Sequence, residues 1–589
     1  RELRAVIGAN QIDYASLPAT PQSAADAGLR FAIDIKDLGA MRAGQAYLIA
    51  TDRGLGVNST GRLAAMGGSL QLSSNGDLRV GESYAATDLS VSAQGTVTLD
   101  GHSVAEGGFE VAASRAVRNS GELQAARWRW ATPQLVNLGS IQQTRADTPL
   151  RLELPQGFTN VGEVYTPGAL AIETPWLTGA AAERGRLHAG GSLRLHGADV
   201  ALSHQQLVAG DHLAIDAREL RVQGADLRAG NGMQLTASGG IVLADSRAHA
   251  NGVMDVGAAR AELARSVLQS SGTLALRVDR GLEADASQLL ANHHVSVNVS
   301  TGDLHLLGGD VEADQVRLRG NGRVVLDSSR VSAGRHFSVM GEGISSRNAI
   351  VQADRIDIDA GSGAWVNQRG QWTAEGPGQS LSAAATGVDN ADGELRARDA
   401  LRLDLRGDAL VNAGGIVEAE RLSLDRLGSL HNQRGYIAAE HDLTVSADGV
   451  DNREGAILSG GHLRLDTGAD AMLGQGGWID SAGRLDIRSR ALDLDATMPA
   501  GGAMTRRADD ARASGLLARS GDGIELHANT LHASGSTWIA GRDLRASARG
   551  AVDLQASLFS AGAALNLAGQ GITTDGAELE GQSLHIDAG

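Results

Sequence analysis

The sequence predicts an all-β chain, a right-handed parallel β-helix (β-solenoid) of roughly 20–22 residues per rung and about 25 rungs. Three observations predict it. Asn-x-x-Gly turns recur every 20 residues, at Asn412-Ala-Gly-Gly415, Asn432-Gln-Arg-Gly435 and Asn452-Arg-Glu-Gly455. Each turn is followed by an alternating apolar pair, Leu422/Leu424, Leu443/Val445 and Leu463/Leu465, with the period of two that a half-buried strand requires. The composition also suits a thin stacked core: 78 Gly, only 9 Pro and 3 % aromatics. A rung of this kind cannot bury its apolar side alone, but stacked on like neighbours it can, and each strand then bonds to the rungs on either side.

The apolar step can be followed from Tyr47, Leu70, Leu89, Phe109 and Trp128 through Val253 to Leu544, Leu565 and Leu584, at spacings of 19–25 residues. One gap of 39 residues interrupts it, between Leu485 and Ile524. About 25 rungs at ~4.8 Å each would make a stack ~120 Å long. The residue between the two apolar positions is usually polar, as in Leu193-Arg-Leu195, so two side chains enter the core and one faces water. Gly suits the corners because it takes positive φ without steric cost. The Asn series Asn367, Asn390, Asn412, Asn432 and Asn452, with Gly415, Gly435 and Gly455, is expected to stack into a structural turn ladder, each amide bonding to the next.

Two regions break the rhythm. Residues 155–185 hold Pro155, Pro167, Pro175 and Trp176 and read as a loop excursion. Residues 488–520, with Pro499, Gly501-Gly502 and the run Arg506-Arg507-Ala-Asp509-Asp510-Ala-Arg512, read as an irregular insertion or a degenerate rung. Repeats occupy 61–487 and resume over 521–589.

Residues 1–60 differ from the rest. They carry Gly8-Ala9-Asn10 with Asp13, Phe31-Ala-Ile-Asp34, Leu38-Gly-Ala-Met41 and Gly54-Leu-Gly-Val57, completed by Gly61, Leu63 and Ala64. This order of segments resembles the C-terminal end of the secretion (haemagglutination activity) domain of two-partner-secreted (TpsA-type) exoproteins. That family includes filamentous haemagglutinin and the contact-dependent growth inhibition (CdiA-like) proteins. The resemblance implies a haemagglutinin-repeat shaft, secreted to the cell surface of a Gram-negative bacterium through an outer-membrane TpsB-type transporter. The secretion motifs of that family would lie upstream of Arg1, in a longer parent protein. The function expected is adhesion to a receptor or glycan on host or neighbouring cells. The alternative is the stalk of a contact-dependent growth inhibition toxin that presents a toxin domain lying beyond this segment. A remoter alternative is a β-helix polysaccharide lyase or hydrolase, which would gather carboxylates such as Asp303, Asp310, Asp314 and Asp354 from neighbouring rungs.

Chemistry is hard to find in the residues. Cys is absent, which removes thiol nucleophiles, and Lys36 is the sole lysine and is preceded by Ile35, which removes a phosphate-binding Gly-Lys-Ser/Thr loop. There is no His-Glu-x-x-His, Gly-x-Ser-x-Gly or Gly-x-Gly-x-x-Gly pattern. His293-His294 are adjacent strand residues and should point to opposite faces rather than share a metal. No catalytic residue, metal or cofactor is expected, so the chain reads as a non-enzyme. Net charge is −17 without a basic stripe, which argues against nucleic acid, and no run of 18 apolar residues suggests a membrane span. Trp128 and Trp130 are assigned to the core. Arg406-Gly407-Asp408, the tripeptide that integrins read, follows Leu401-Arg-Leu-Asp-Leu405 and could present a receptor-binding corner.

Overall fold

A computed structural model describes residues 1–8, 10–12, 19–21, 31–36, 39–52, 54, 56–179, 184–376, 380–468 and 470–589. The secondary structure over these residues is strand and turn, without helix, in a parallel β-solenoid of about 27 turns. The chain forms two compact units, residues 1–279 with 288–292, and residues 280–287 with 293–589.

In each unit a strand pairs in parallel with the strand one turn before and one turn after it. In the N-terminal unit Leu193–Ser203 pairs with Leu213–Gln223, which pairs with Met233–Ala244. In the C-terminal unit Glu394–Asp404 pairs with Ile416–His431, which pairs with Tyr436–Ala439 and Leu443–Asp451. Register is held by the alternation. The inward column Leu401, Leu422, Leu443, Leu463 and Leu485 is stacked residue on residue, and every member is buried. A slip of one residue would turn this whole column outward, which is why the pattern specifies one register.

The first segments already belong to the stack: Glu2–Ile7 pairs with Gln45–Ala50, Phe31–Ile35 with Gly56–Ser59, and Ala40–Ala43 with Arg62–Ala65. Asn10–Ile12 and Ala19–Pro21 form a separate antiparallel pair. Of the signature residues, Ala9, Asp13, Leu38 and Leu55 lie outside the described residues.

Four expectations are corrected. Residues 488–520 are not an insertion. They lie in regular strands, Leu485–Asp493, Ala496–Ala500, Met504–Arg512 and Leu517–Ser520, paired in parallel with their neighbours. The 39-residue gap arises because the missing step is Met504-Thr505-Arg506: Leu485 stacks on Met504 and Ile487 on Arg506, so an arginine stands where an apolar residue was sought. Residues 155–179 likewise stay in the stack, as Gly157–Asn160, Glu163–Thr166, Leu170–Glu173 and Trp176–Thr178, with the prolines in the connections between them. Residues 180–183 of that stretch are not described. Two apolar steps are one residue out of register, since the inward residues are Ala46/Leu48 and Met254/Val256, while Val253 is 56 % exposed at a corner. Finally, Trp130 is buried but Trp128 is only half-buried. Trp128 stacks between Phe109 and Trp130, at 4.7 and 5.1 Å, and donates its indole N–H to the Gln142 carbonyl at 3.1 Å.

Candidate functional site

The most ordered polar feature is a column of buried amides at one corner of the C-terminal unit. Asn367, Asn390, Asn412, Asn432 and Asn452 are fully buried. Asn367 Nδ2 donates to Asn390 Oδ1, and the pattern repeats through Asn412 and Asn432 to Asn452, at 2.8, 2.8, 2.8 and 2.7 Å. Each Nδ2 also reaches the carbonyl three residues on in its own turn, as Asn412 does to Gly415 at 3.1 Å. Every amide therefore satisfies its own corner and the next one, which a hydroxyl or carboxylate could not do together.

The column has defined ends. At one end Ser346 Oγ donates to Asn367 Oδ1 at 3.0 Å and accepts the indole N–H groups of Trp365 and Trp372, at 3.0 and 3.2 Å. At the other end the rung Gly474-Gln-Gly-Gly477 has no Asn. A Cβ on Gly474 would lie 2.5 Å from Leu494 Cδ2, so an apolar side chain fills the next corner and the series stops.

The turn glycines are required by close approach, not by positive φ. In residues 432–435 the left-handed residue is Arg434, at φ 55°, while a Cβ on Gly435 would sit 2.1 Å from the Asn412 carbonyl oxygen of the preceding rung. Gly415 and Gly455 meet the same obstacle, at 2.2 and 2.0 Å from the carbonyls of Asn390 and Asn432. Gly435→Ala should therefore lower the stability of the C-terminal unit by about 3 kcal/mol, because the obstruction is backbone and cannot rotate away. Chemical denaturation followed by Trp fluorescence would read this.

A second amide column escaped the sequence reading. Asn119 donates to Asn137 and Asn137 to Asn160, both at 2.8 Å, and Asn160 donates to Gln205 Oε1 at 3.3 Å. The signal was present as Asn119-Ser-Gly121, Asn137-Leu-Gly139 and Asn160-Val-Gly162. These turns are one residue shorter and unevenly spaced, so a search for Asn-x-x-Gly passes over them.

The Arg406-Gly407-Asp408 tripeptide occupies an exposed corner between Glu394–Asp404 and Leu410–Val411. Arg406 and Gly407 both have positive φ, 56° and 91°, and Asp408 N–H bonds the Leu405 carbonyl at 3.0 Å, the type I′ turn pattern. The arginine is turned back onto the stack. Its guanidinium bonds the Gly361 carbonyl and lies 3.8 Å from Asp359 Oδ1. Asp408 accepts the N–H of Ala409 at 2.8 Å. The two charges are thus engaged on different parts of the surface.

The remaining charged groups mostly tie one rung to the next. Asp314 binds Arg335, whose guanidinium holds that carboxyl below the usual range. Asp303 accepts the Arg323 N–H at 2.8 Å. Asp245 pairs with Arg265 at 2.7 Å. His293 is exposed and His294 half-buried, and burial followed by the charge of Arg317 lowers the His294 pKa. Among the described residues no three His, Asp or Glu side chains gather at metal-binding spacing.

Arg506 is the exception. Its side chain points into the core and is 3 % exposed, and its three guanidinium nitrogens have no hydrogen-bond partner among the described residues. The group lies over the Trp538 ring, 4.9 Å from the centroid, and burial pushes its pKa down to about 9.

Rungs stacked in parallel, joined by short corners and laced by amide and ion-pair columns, define a repeat protein of the parallel β-solenoid class. The chain is a haemagglutinin-repeat region of the two-partner-secreted, CdiA-like kind. A haemagglutinin repeat model matches residues 5–127, 378–418 and 405–489, and a second one matches 196–330. The Toxin CdiA of Yersinia pestis is 23 % identical over 573 residues, covering 92 % of this chain and 16 % of that protein. A tRNA nuclease CdiA-2 of Burkholderia pseudomallei is 41 % identical over 78 residues, 13 % of this chain and 2 % of its own length. A tRNA nuclease CdiA of Yersinia mollaretii is 35 % identical over 107 residues, 18 % of this chain and 4 % of its own. The chain thus spans less than a fifth of the length of each relative. No solved structure matches it.

Proposed function

We propose that this chain is a presenting shaft of a secreted, cell-surface exoprotein of a Gram-negative bacterium, exported by an outer-membrane two-partner transporter and serving adhesion to host or neighbouring cells. The observation that carries the reading is the parallel rung-on-rung stacking of the described residues within each unit, in register apart from local bulges, which makes a stiff support whose length grows with rung number. A shaft of this design needs no catalytic residue of its own. It suits export as an unfolded chain, because each emerging rung can use the previous one as its template.

The second reading is a stalk that carries a toxin domain, favoured by the relatives named as CdiA toxins and tRNA nucleases. Two measurements separate the readings. Fluorescently labelled chain should bind epithelial or bacterial cells saturably, and Asp408→Ala tests whether the exposed tripeptide contributes. Sequencing the parent reading frame through its 3′ end and into the next gene is the complement. Absence of saturable binding, together with a small C-terminal domain and a short neighbouring immunity gene, would overturn adhesion and support the toxin stalk.

A further inference from the structure

One outward column of the C-terminal unit changes character along the stack. It consists of the first outward residue of the strand that follows each corner. At Asp310 and Arg330 it is charged. From Ile416 onward it carries no charge for eight successive rungs, ending at Leu558, in a chain of which 21 % is charged. The equivalent column of the N-terminal unit reads Arg186, Gln206, Asp226 and Arg247.

The apolar column also alternates in size. Tyr436, Trp478 and Leu517 stand out, 36 %, 47 % and 37 % exposed. Between and beyond them lie the small residues Ala456, Thr497 and Thr537. From Tyr436 to Leu558 large residues therefore recur every second rung, about 9.6 Å apart, with a hollow between each pair, while Ile416 lies directly beside Tyr436 at the end of the stretch. The neighbouring outward positions add Ala438, Leu458, Pro499 and Ile539, and the charges there are Glu418, which pairs with Arg396 of the preceding rung, Asp480 and Arg519.

From this pattern we infer that the face is a docking surface for a second copy of this chain, packed sheet against sheet about a two-fold axis parallel to the strands. A second copy brings the same rung spacing and the same large–small alternation, so complementarity needs no separate design. With the axis between the Trp478 and Thr497 rungs, Trp478 of each copy meets Thr497 of the other. Leu517 then meets Ala456, Tyr436 meets Thr537, and Ile416 meets Leu558, so the whole uncharged stretch is used. The same register sets Arg519 of one copy one rung from Asp480 of the other, close enough for an ion pair across sheets ~10 Å apart. The stretch is about 34 Å long and about 13 Å wide, so two copies bury roughly 900 Å². This falls below the ~1,200 Å² of stable complexes. The dimer is therefore weak in solution and strengthened where many copies stand on one surface.

Sedimentation velocity of the chain over a range of concentrations tests this, beside melting by circular dichroism. A closed monomer–dimer equilibrium is expected. Trp478→Asp should raise the dissociation constant at least about tenfold without moving the melting curve, because the side chain faces out. Val253→Asp, at an exposed apolar corner of the other unit, should leave it unchanged. Asp480→Arg and Arg519→Asp should each weaken the dimer, and the double reversal should restore it. A monomer at every concentration, open-ended association, or a dimer unaffected by Trp478→Asp would overturn the proposal.

Discussion

Replacing Arg506 by leucine should stabilise the C-terminal unit, by about 3 kcal/mol, against the usual trend for core substitutions. The guanidinium sits between Ile487 and Leu526 in the inward column, fully desolvated and without a carboxylate or carbonyl to receive its five N–H groups. Burial of an uncompensated charge costs several kcal/mol, and stacking on Trp538 returns only about 2 kcal/mol. Leucine is what the same column carries at Leu465 and Leu526. Arg506→Lys should act in the opposite direction, because it keeps the charge and loses the planar contact with the indole.

The pH dependence supplies an independent check. The folded pKa of Arg506, about 9, lies below the ordinary guanidinium value, so the folded state binds the proton less well. The penalty is fully present below pH 9 and is relieved as pH rises through 9. Stability differences between wild type and Arg506→Leu, measured by denaturant titration, should be constant from pH 7 to 8.5 and shrink above pH 9. With a single lysine in the chain, few other cations titrate there. A gap that widens with pH, or a destabilised Arg506→Leu, would refute the assignment of an unpaired buried charge.

Asn432→Asp should be the most damaging single-atom change in the chain. The carboxylate can accept from Asn412, but it faces Asn452 Oδ1 at 2.7 Å and the Ala456 and Gly435 carbonyls at 3.1 and 3.3 Å, all acceptors. Three donor contacts become oxygen–oxygen contacts, and a charge enters a fully buried corner, at an expected cost of about 4 kcal/mol or more. Asn432→Ala should cost less, about 2 kcal/mol, because it leaves polar groups unpaired without adding a charge. The buried carboxyl should have a raised pKa, so the aspartate variant is weakest above that raised value. It recovers as pH falls from there toward the ordinary carboxylate pKa near 4. Hydrogen exchange should show lost protection at Ile437 and Ile457 with Leu195 and Ile215 unaffected, since each rung supports only its neighbours. Uniform loss of protection through both units would contradict that view.

The sequence by itself determined the class of fold, because the period near 20, the Asn-x-x-Gly corners and the alternating apolar pairs are local signals that one stacked strand after another repeats. Register within a rung was legible at most Leu and Ile pairs, and it slipped at Tyr47, an outward strand residue, and at Val253, a corner residue, each of which mimics an inward one. The continuity of 488–520 was not legible, since an inward arginine looks like a surface charge until the strands on both sides are in place. Nor was the origin of the glycine requirement: positive φ is a property of one residue, but the contact between Gly435 and the Asn412 carbonyl exists only between rungs. The outward apolar column from Ile416 to Leu558 is spread over 143 positions of the sequence, with one member in each rung. Stacking alone brings those side chains onto one face, because parallel in-register pairing sets residues about 20 apart in sequence only ~4.8 Å apart in space.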